Sequence, residues 1–220
     1  EATADLAWTL ILGTARRIIE GDHMARSGDW TGWAPTQLLG IDLQSKVLGI
    51  VGMGRIGRAV ARRAAGFGMR LIYYNRHRLP VRMEKRLQAS YRPLRALIRS
   101  SDVISLHLPL TPQTHHLIGR ASLSAMKPGV LLINTARGPV VDEKALITAL
   151  RTGKIGGAGL DVFEREPVIE KGLRSLQNTV LLPHLGSATN ETRIRMGWMA
   201  IENIRAVLSG RPAPNQVKYI

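Results

Sequence analysis

The chain alternates short apolar runs with amphipathic stretches. Val47–Val51 is continuously apolar and runs into a glycine-rich turn, the pattern of a central parallel strand covered on both faces. Arg55–Phe67 returns to helical spacing, Arg70–Asn75 reads as a second strand and Leu94–Ile98 as a short helix. Val103–Leu106 and Val130–Asn134 read as the third and fourth strands, Gly157–Val162 as the fifth and Val180–Leu182 as the sixth. Asp142 stands at a cap position before a helix reaching Thr152, and a last helix runs from about Asn190 to Ser209, closed by Gly210 and Pro212. Ahead of this rhythm, Leu6, Leu10, Leu12, Ala15, Ile18 and Ile19 predict one long helix over Ala2–Glu20 that stops before Gly21. Ser27–Leu43, with Trp30, Trp33, Pro35 and Gly40, is too broken for an element and is expected to wrap the surface as a loop.

Strand and helix in alternation predict an α/β fold, a doubly wound, mainly parallel sheet of the Rossmann type with right-handed crossovers. The length of 220 residues suits one such domain plus attachments. Residues 1–209 are expected to form the dinucleotide-binding domain and 210–220 a C-terminal tail. No apolar run approaches the roughly 20 residues that span a bilayer. The chain has no cysteine, which excludes disulfides, a thiolate nucleophile and thiolate metal sites, and the expected compartment is the cytoplasm. It opens on Glu1 with an amphipathic pattern, as if cut from something longer. The net charge of +15 raises nucleic-acid binding, but the 31 Lys and Arg are scattered and form no basic block, so an anionic small-molecule partner is the expectation instead.

Chemistry enters at Gly52-Met53-Gly54-Arg55-Ile56-Gly57, a G-x-G-x-x-G between a buried strand and a helix. Gly52 allows the tight turn, Gly54 lets the backbone approach a pyrophosphate, and Gly57 lets helix and strand pack closely. The pyrophosphate then meets free N–H groups and the positive end of the helix dipole. At the end of the second strand, where an NAD site presents Asp or Glu to the ribose 2′-hydroxyl, this chain has Asn75-Arg76-His77-Arg78. No carboxylate is there to repel a 2′-phosphate and two guanidiniums are available to bind one, so NADP is the expected cofactor, with NAD possible. His77 reads as a bystander.

Three further stretches lie at or just past strand ends: Asn134-Thr135-Ala136-Arg137-Gly138, Gly159-Leu160-Asp161-Val162-Phe163-Glu164-Arg165-Glu166-Pro167, and Pro183-His184-Leu185-Gly186-Ser187. With the glycine loop, in this order, they resemble the D-2-hydroxyacid dehydrogenase family from about Ala2 to Leu208. Asn75-Arg76 and the run from Val141 to Leu146 look most like its glyoxylate/hydroxypyruvate reductase branch. The resemblance implies an NADP(H)-dependent, D-stereospecific hydride transfer between the nicotinamide and a small 2-keto or 2-hydroxy acid. By the same likeness Arg137 holds the substrate carboxylate and polarises the 2-oxo group, His184 exchanges a proton with the carbonyl oxygen, and Glu166 orients His184 and stabilises its charge.

The likeness also assigns cofactor contacts to Arg55, Ile56, Leu108, Pro109, Thr114, Thr135, Ala136, Asp161, His184, Gly186 and Ser187, with Asp161 beside the nicotinamide carboxamide. It calls for no metal. His23, His107, His115 and His116 read as structural or surface residues, with His107 close to the expected crevice. Most of the family's substrate domain precedes the point where this sequence starts, so the chain alone should bind cofactor and turn over weakly or not at all. A homodimer is implied, with the first helix and the Trp30/Trp33 loop as interface elements. Two alternatives stay open: the same chemistry on another acid such as phosphoglycerate, and a nucleotide-sensing corepressor-like protein without turnover.

Overall fold

The computed structural model describes residues 1–217. Its centre is one seven-stranded sheet, all parallel, formed by β1 (Val47–Val51), β2 (Arg70–Tyr74), β3 (Ala89–Tyr91), β4 (Val103–Leu106), β5 (Val130–Asn134), β6 (Ile155–Leu160) and β7 (Thr179–Leu181). The spatial order is β3-β2-β1-β4-β5-β6-β7, so the winding reverses between β1 and β4. A crevice at the carboxyl ends of the strands is expected at such a reversal.

Register places that crevice on one level. Tyr74, Val51, Leu106, Asn134, Leu160 and Leu181 pair in a continuous row across six strands. The residues that follow them, Asn75, Gly52, His107, Thr135, Asp161 and Leu182, therefore leave the sheet side by side.

The helices are α1 (Ala2–Ala15), α2 (Ile18–Ser27), α3 (Arg55–Ala64), α4 (Val81–Leu87), α5 (Leu94–Ser100), α6 (Arg120–Ala125), α7 (Glu143–Arg151), α8 (Lys171–Arg174) and α9 (Asn190–Leu208). Those other than α2 and α9 bury the sheet in two apolar clusters. Leu10, Ile11, Leu48, Ile50 and Val60 belong to one, and Ile104, Leu132, Leu146 and Ile155 to the other. Every residue of β1 and β5 is buried, which is why β1 and the first four residues of β5 read as unbroken apolar runs. Asp142 caps α7 by accepting the N–H of Ala145 at 2.9 Å, a contact worth about 1 kcal/mol.

The expected single helix over Ala2–Glu20 is corrected to two. The chain leaves the helical path at Arg17, whose φ of 52° is left-handed, and α2 then continues through Gly21 to Ser27. Because α2 buries none of its residues, it lacks the apolar stripe that would have marked it. The strand β3 and the helices α4, α6 and α8 are additions to the expected pattern, all short.

By compactness the chain forms two units: one holds Glu1 and Thr3–Gly186, the other Ala2 and Ser187–Ile220, which includes α9. Within that second unit, Thr189 caps α9 by accepting the N–H of Thr192, and Asn203 Oδ1 accepts the N–H of Asn215. The end of the expected tail, residues 218–220, lies outside the described residues. No helix among the described residues is long and apolar enough to cross a membrane.

Candidate active site

The first part of the site is the glycine turn. Gly52 has a φ of 99°, and a Cβ there would lie 2.3 Å from the carbonyl oxygen of His107. A Cβ on Gly57 would lie 2.1 Å from the carbonyl oxygen of Gly52, so only glycine lets α3 close onto β1. A Cβ on Gly54 would meet nothing within 4 Å; it would project into open space where backbone is otherwise exposed. The helix that follows, starting at Arg55 and Ile56, has no side-chain cap and no acidic residue in its first turn. Its positive end is therefore free to receive a pyrophosphate.

Beside this turn lies a cavity of about 310 Å³. Gly52, Asn75, Arg76, Leu108, Pro109 and Thr114 line it together with His77, so six expected cofactor residues share one wall. Two of them are partly committed to the protein. Asn75 accepts the N–H of Met53 at 3.2 Å and donates to the carbonyl of His77 at 2.9 Å, tying the β2 turn to the glycine turn. Thr114 donates to the Pro109 carbonyl at 2.7 Å and shapes its loop.

Arg78 is not on that wall. Its Nε and Nη2 donate to the two oxygens of Glu84 at 2.9 and 2.8 Å, which turns the guanidinium toward α4. Of the two expected guanidiniums, Arg76 lies on the cavity wall and Arg78 is paired with Glu84, a partner the sequence did not reveal.

The loop after β5 is set by Asn134. This buried side chain accepts the N–H of Ala136 at 3.0 Å and donates to the carbonyl of Arg137 at 3.0 Å, holding Thr135 and Ala136 in a tight turn with Arg137 exposed at its end. Gly138 then packs against backbone: its Cβ would stand 1.9 Å from the carbonyl of Phe163. This close approach brings the Arg137 turn against the loop that carries Glu166.

That second loop is latched to α7. Glu143 accepts the N–H of Glu164 at 2.7 Å, and Glu164 accepts the N–H of Glu143 at 3.1 Å. Burial pushes the carboxyl of Glu143 above its ordinary pKa, although the Glu164 N–H works against it. Glu164 also pairs with His116 Nε2 at 2.8 Å, so His116, expected as a structural or surface residue, joins the latch.

Glu166 then reaches His184. One of its oxygens accepts the N–H of Phe163 at 3.1 Å and the other lies 2.8 Å from His184 Nδ1. Burial raises the pKa of Glu166, but the hydrogen bond from His184, that from Phe163, and the charges of His184 and Arg137 outweigh it and leave it below the usual value. Nε2 of His184 has no hydrogen-bond partner among the described residues.

Asp161 holds the turn that follows His184. Buried at the end of β6, it accepts the N–H of Leu185 at 2.6 Å and that of Gly186 at 2.8 Å. Both carboxylate oxygens are thereby occupied with the turn that aims the imidazole, a task the sequence did not show. Thr3 of α1 adds a bond to the Gly186 carbonyl at 2.8 Å. Ser187 opens the second compact unit, so its place in the site stays an expectation. Beneath the crevice, His107 bonds Ser105 through Nε2 at 2.8 Å, and burial lowers its pKa to about 4, so it is neutral.

A larger cavity of about 520 Å³, lined by Gly13, Arg17, Gly156 and Asn178, contains none of these groups. Among the described residues no cluster of three His, Cys, Asp or Glu could hold a metal ion.

The family described as D-isomer specific 2-hydroxyacid dehydrogenase, NAD binding domain, matches residues 8–186. The chain belongs to this family. Among curated dehydrogenase relatives, the glyoxylate reductase of Thermococcus litoralis is 52% identical over 99% of this chain, which spans 66% of that relative's length. Among solved structures, a protein from Thermus thermophilus superposes with a TM-score of 0.93 at 51% identity, covering 99% of this chain and 68% of that one. A glyoxylate reductase from Paecilomyes thermophila superposes at 0.91 with 44% identity, covering 98% and 64%. The family's description names a nicotinamide dinucleotide as its ligand. The open backbone at Gly54 and the uncapped start of α3 fit that group.

Proposed function

We propose that the full-length protein reduces a small 2-keto acid, glyoxylate or hydroxypyruvate, to the D-2-hydroxy acid with NADPH as preferred cofactor. The observation that carries this reading is the pairing of His184 Nδ1 with Glu166 at the carboxyl edge of the sheet, close enough to Arg137 for its charge to act on Glu166, with Nε2 of His184 unbonded among the described residues. The glyoxylate reductases among the relatives make glyoxylate the first substrate to test.

When bound, the dinucleotide supplies the hydride, a proton carrying two electrons, that adds to C2 of the keto acid. Arg137 presents a planar fork of donors to the substrate carboxylate and to the 2-oxo group, drawing electron density from C2. As negative charge develops on the carbonyl oxygen, His184 gives it the Nε2 proton; in the reverse direction the neutral imidazole takes that proton back. Glu166 fixes the ring through Nδ1 and stabilises the imidazolium, the form that must be present before reduction. Asp161 keeps the turn rigid, so the imidazole keeps its aim. Gly52, Gly54, Arg55, Ile56 and Gly57 would hold the pyrophosphate, and Thr135, Ala136, Leu108 and Pro109 the groups on either side of it.

Preference for NADPH rests on Arg76, exposed on the wall of the nucleotide cavity where no carboxylate lines the pocket. A guanidinium there attracts a 2′-phosphate and gives little to a 2′-hydroxyl. Exposed Trp30, Trp33 and Leu39 fit an interface with a second copy of the chain. The test is titration with NADPH and NADH, followed by energy transfer from Trp to the reduced nicotinamide. NADPH is expected to bind about tenfold tighter, a preference that Arg76→Ala removes. Equal or tighter binding of NADH would overturn the NADP reading.

A further inference from the structure

The turn after β2 is built around a carboxylate that does not face the cofactor. Tyr73, fully buried, donates its hydroxyl proton to Glu84 at 2.7 Å and accepts the N–H of Leu79 at 2.8 Å. The same carboxylate takes Arg78 with two parallel bonds. The Arg78 guanidinium also lies 5.9 Å from the ring centre of Tyr91, which packs edge-on to Tyr73. Glu84 itself is only 7% exposed. The bonds from Arg78 and then Tyr73 hold its pKa down at about 2, so it is charged throughout the working range.

Arg76 and Arg78 flank His77 in sequence, yet the fold treats them differently. Arg76 lines the nucleotide cavity and forms no ion pair among the described residues, whereas Arg78 pairs with Glu84 and does not line the cavity. Bidentate pairing and ring packing use its Nε, its Nη2 and one face of its plane; the side chain stays 60% exposed, so it is the pairing with Glu84 and not burial that holds it.

We propose that Glu84 is a specificity-determining positioning residue: by clamping Arg78 against Tyr73 and Tyr91, it withholds one of two loop guanidiniums from the cofactor's 2′ position. Cofactor preference is therefore tuned from α4, a helix that does not line the pocket. Glu84 sets how many cations a 2′-phosphate meets and leaves Arg76 as the guanidinium that meets it. This inference rests on the reading of the Asn75–Arg78 turn as the 2′ end of the site.

The experiment measures the ratio of Kd for NADH to Kd for NADPH in wild type, Glu84→Gln, Arg78→Ala and the double variant, with thermal melting as the folding control. The amide introduced by Glu84→Gln can still accept the Tyr73 hydroxyl but carries no charge to hold Arg78. In Glu84→Gln the ratio is expected to rise about fivefold to tenfold as Arg78 becomes free to reach the phosphate. Arg78→Ala alone is expected to leave the ratio within about twofold of wild type, and adding it to Glu84→Gln to abolish the rise. A merely structural role would weaken both nucleotides equally and leave the ratio still.

The proposal is overturned if Arg78→Ala lowers the ratio about tenfold, which would make Arg78 a direct ligand, or if Glu84→Gln folds and leaves the ratio unchanged. Should Glu84→Gln not fold, Arg78→Ala decides alone: an unchanged ratio supports the clamp, a collapsed ratio overturns it. The outcome is separable from the broader cofactor reading. A wild type that prefers NADH refutes NADPH as the preferred cofactor, while the change on Glu84→Gln still decides the part played by Glu84.

Discussion

Glu166 and His184 stand 2.8 Å apart, carboxylate to Nδ1, although they come from loops that follow different strands. Glu166 is placed by Phe163 and the Glu143–Glu164 latch, His184 by Asp161. Their meeting is thus over-determined by backbone bonds, which suits the proton exchange proposed for His184.

Replacing Glu166 with Gln keeps the shape and removes the charge. In the full-length enzyme, kcat for keto-acid reduction is expected to fall about 100-fold, with the Kd for NADPH unchanged within about twofold. Steady-state kinetics and nucleotide titration, run side by side, check both halves. An equal loss in both would make Glu166 a general structural residue.

Asp161→Asn leaves at least one buried N–H of Leu185 or Gly186 facing an amide NH2 instead of a carboxylate oxygen. A cost of about 1–3 kcal/mol in urea unfolding is expected, together with lower activity because the His184 turn loosens. Unchanged stability would mean that the turn holds itself.

Glycines 54 and 57 separate binding from folding. Gly54→Ala projects into open space, so stability should stay within about 0.5 kcal/mol while dinucleotide affinity falls at least about tenfold. Gly57→Ala drives a methyl into the Gly52 carbonyl and should cost both stability and binding. Melting curves with and without NADPH distinguish the two variants.

His107 makes the fold acid-sensitive. Its pKa is lowered by burial from the ordinary 6.5 to about 4, so between those values the unfolded chain binds a proton that the native site refuses. The sign follows: stability is complete above pH 6.5 and is lost as the pH falls toward 4, by up to roughly 2–3 kcal/mol. His107→Gln should flatten this part of the pH–stability curve, as measured by urea titrations across the window.

The readable parts of the sequence were those where burial on both faces or a glycine turn left a pattern. The apolar runs of β1, β4 and β5 matched the observed strands end to end, and the glycine turn announced its strand and helix. β3 escaped because it is three residues long at the sheet edge, with Ser90 exposed between Ala89 and Tyr91. The break at Arg17 escaped because a non-glycine residue adopts the left-handed turn there. At the site, the pairing of Glu166 with His184 was expected from the sequence and is present, but the partners of other charged groups were not legible. Nothing in the spacing of Arg78 and Glu84 excluded a solvated pair, and Asp161 was expected beside the cofactor while its oxygens are taken by Leu185 and Gly186.

The most direct measurement is glyoxylate-dependent oxidation of NADPH by the full-length protein, wild type against His184→Asn, with NADPH binding measured on both. The wild type is expected to turn over, and His184→Asn to lose at least about 100-fold in kcat while still binding NADPH. A wild type that binds NADPH yet oxidises it with no 2-keto acid, or a His184→Asn variant as active as wild type, would contradict the assignment of His184 as the proton donor of a keto-acid reductase.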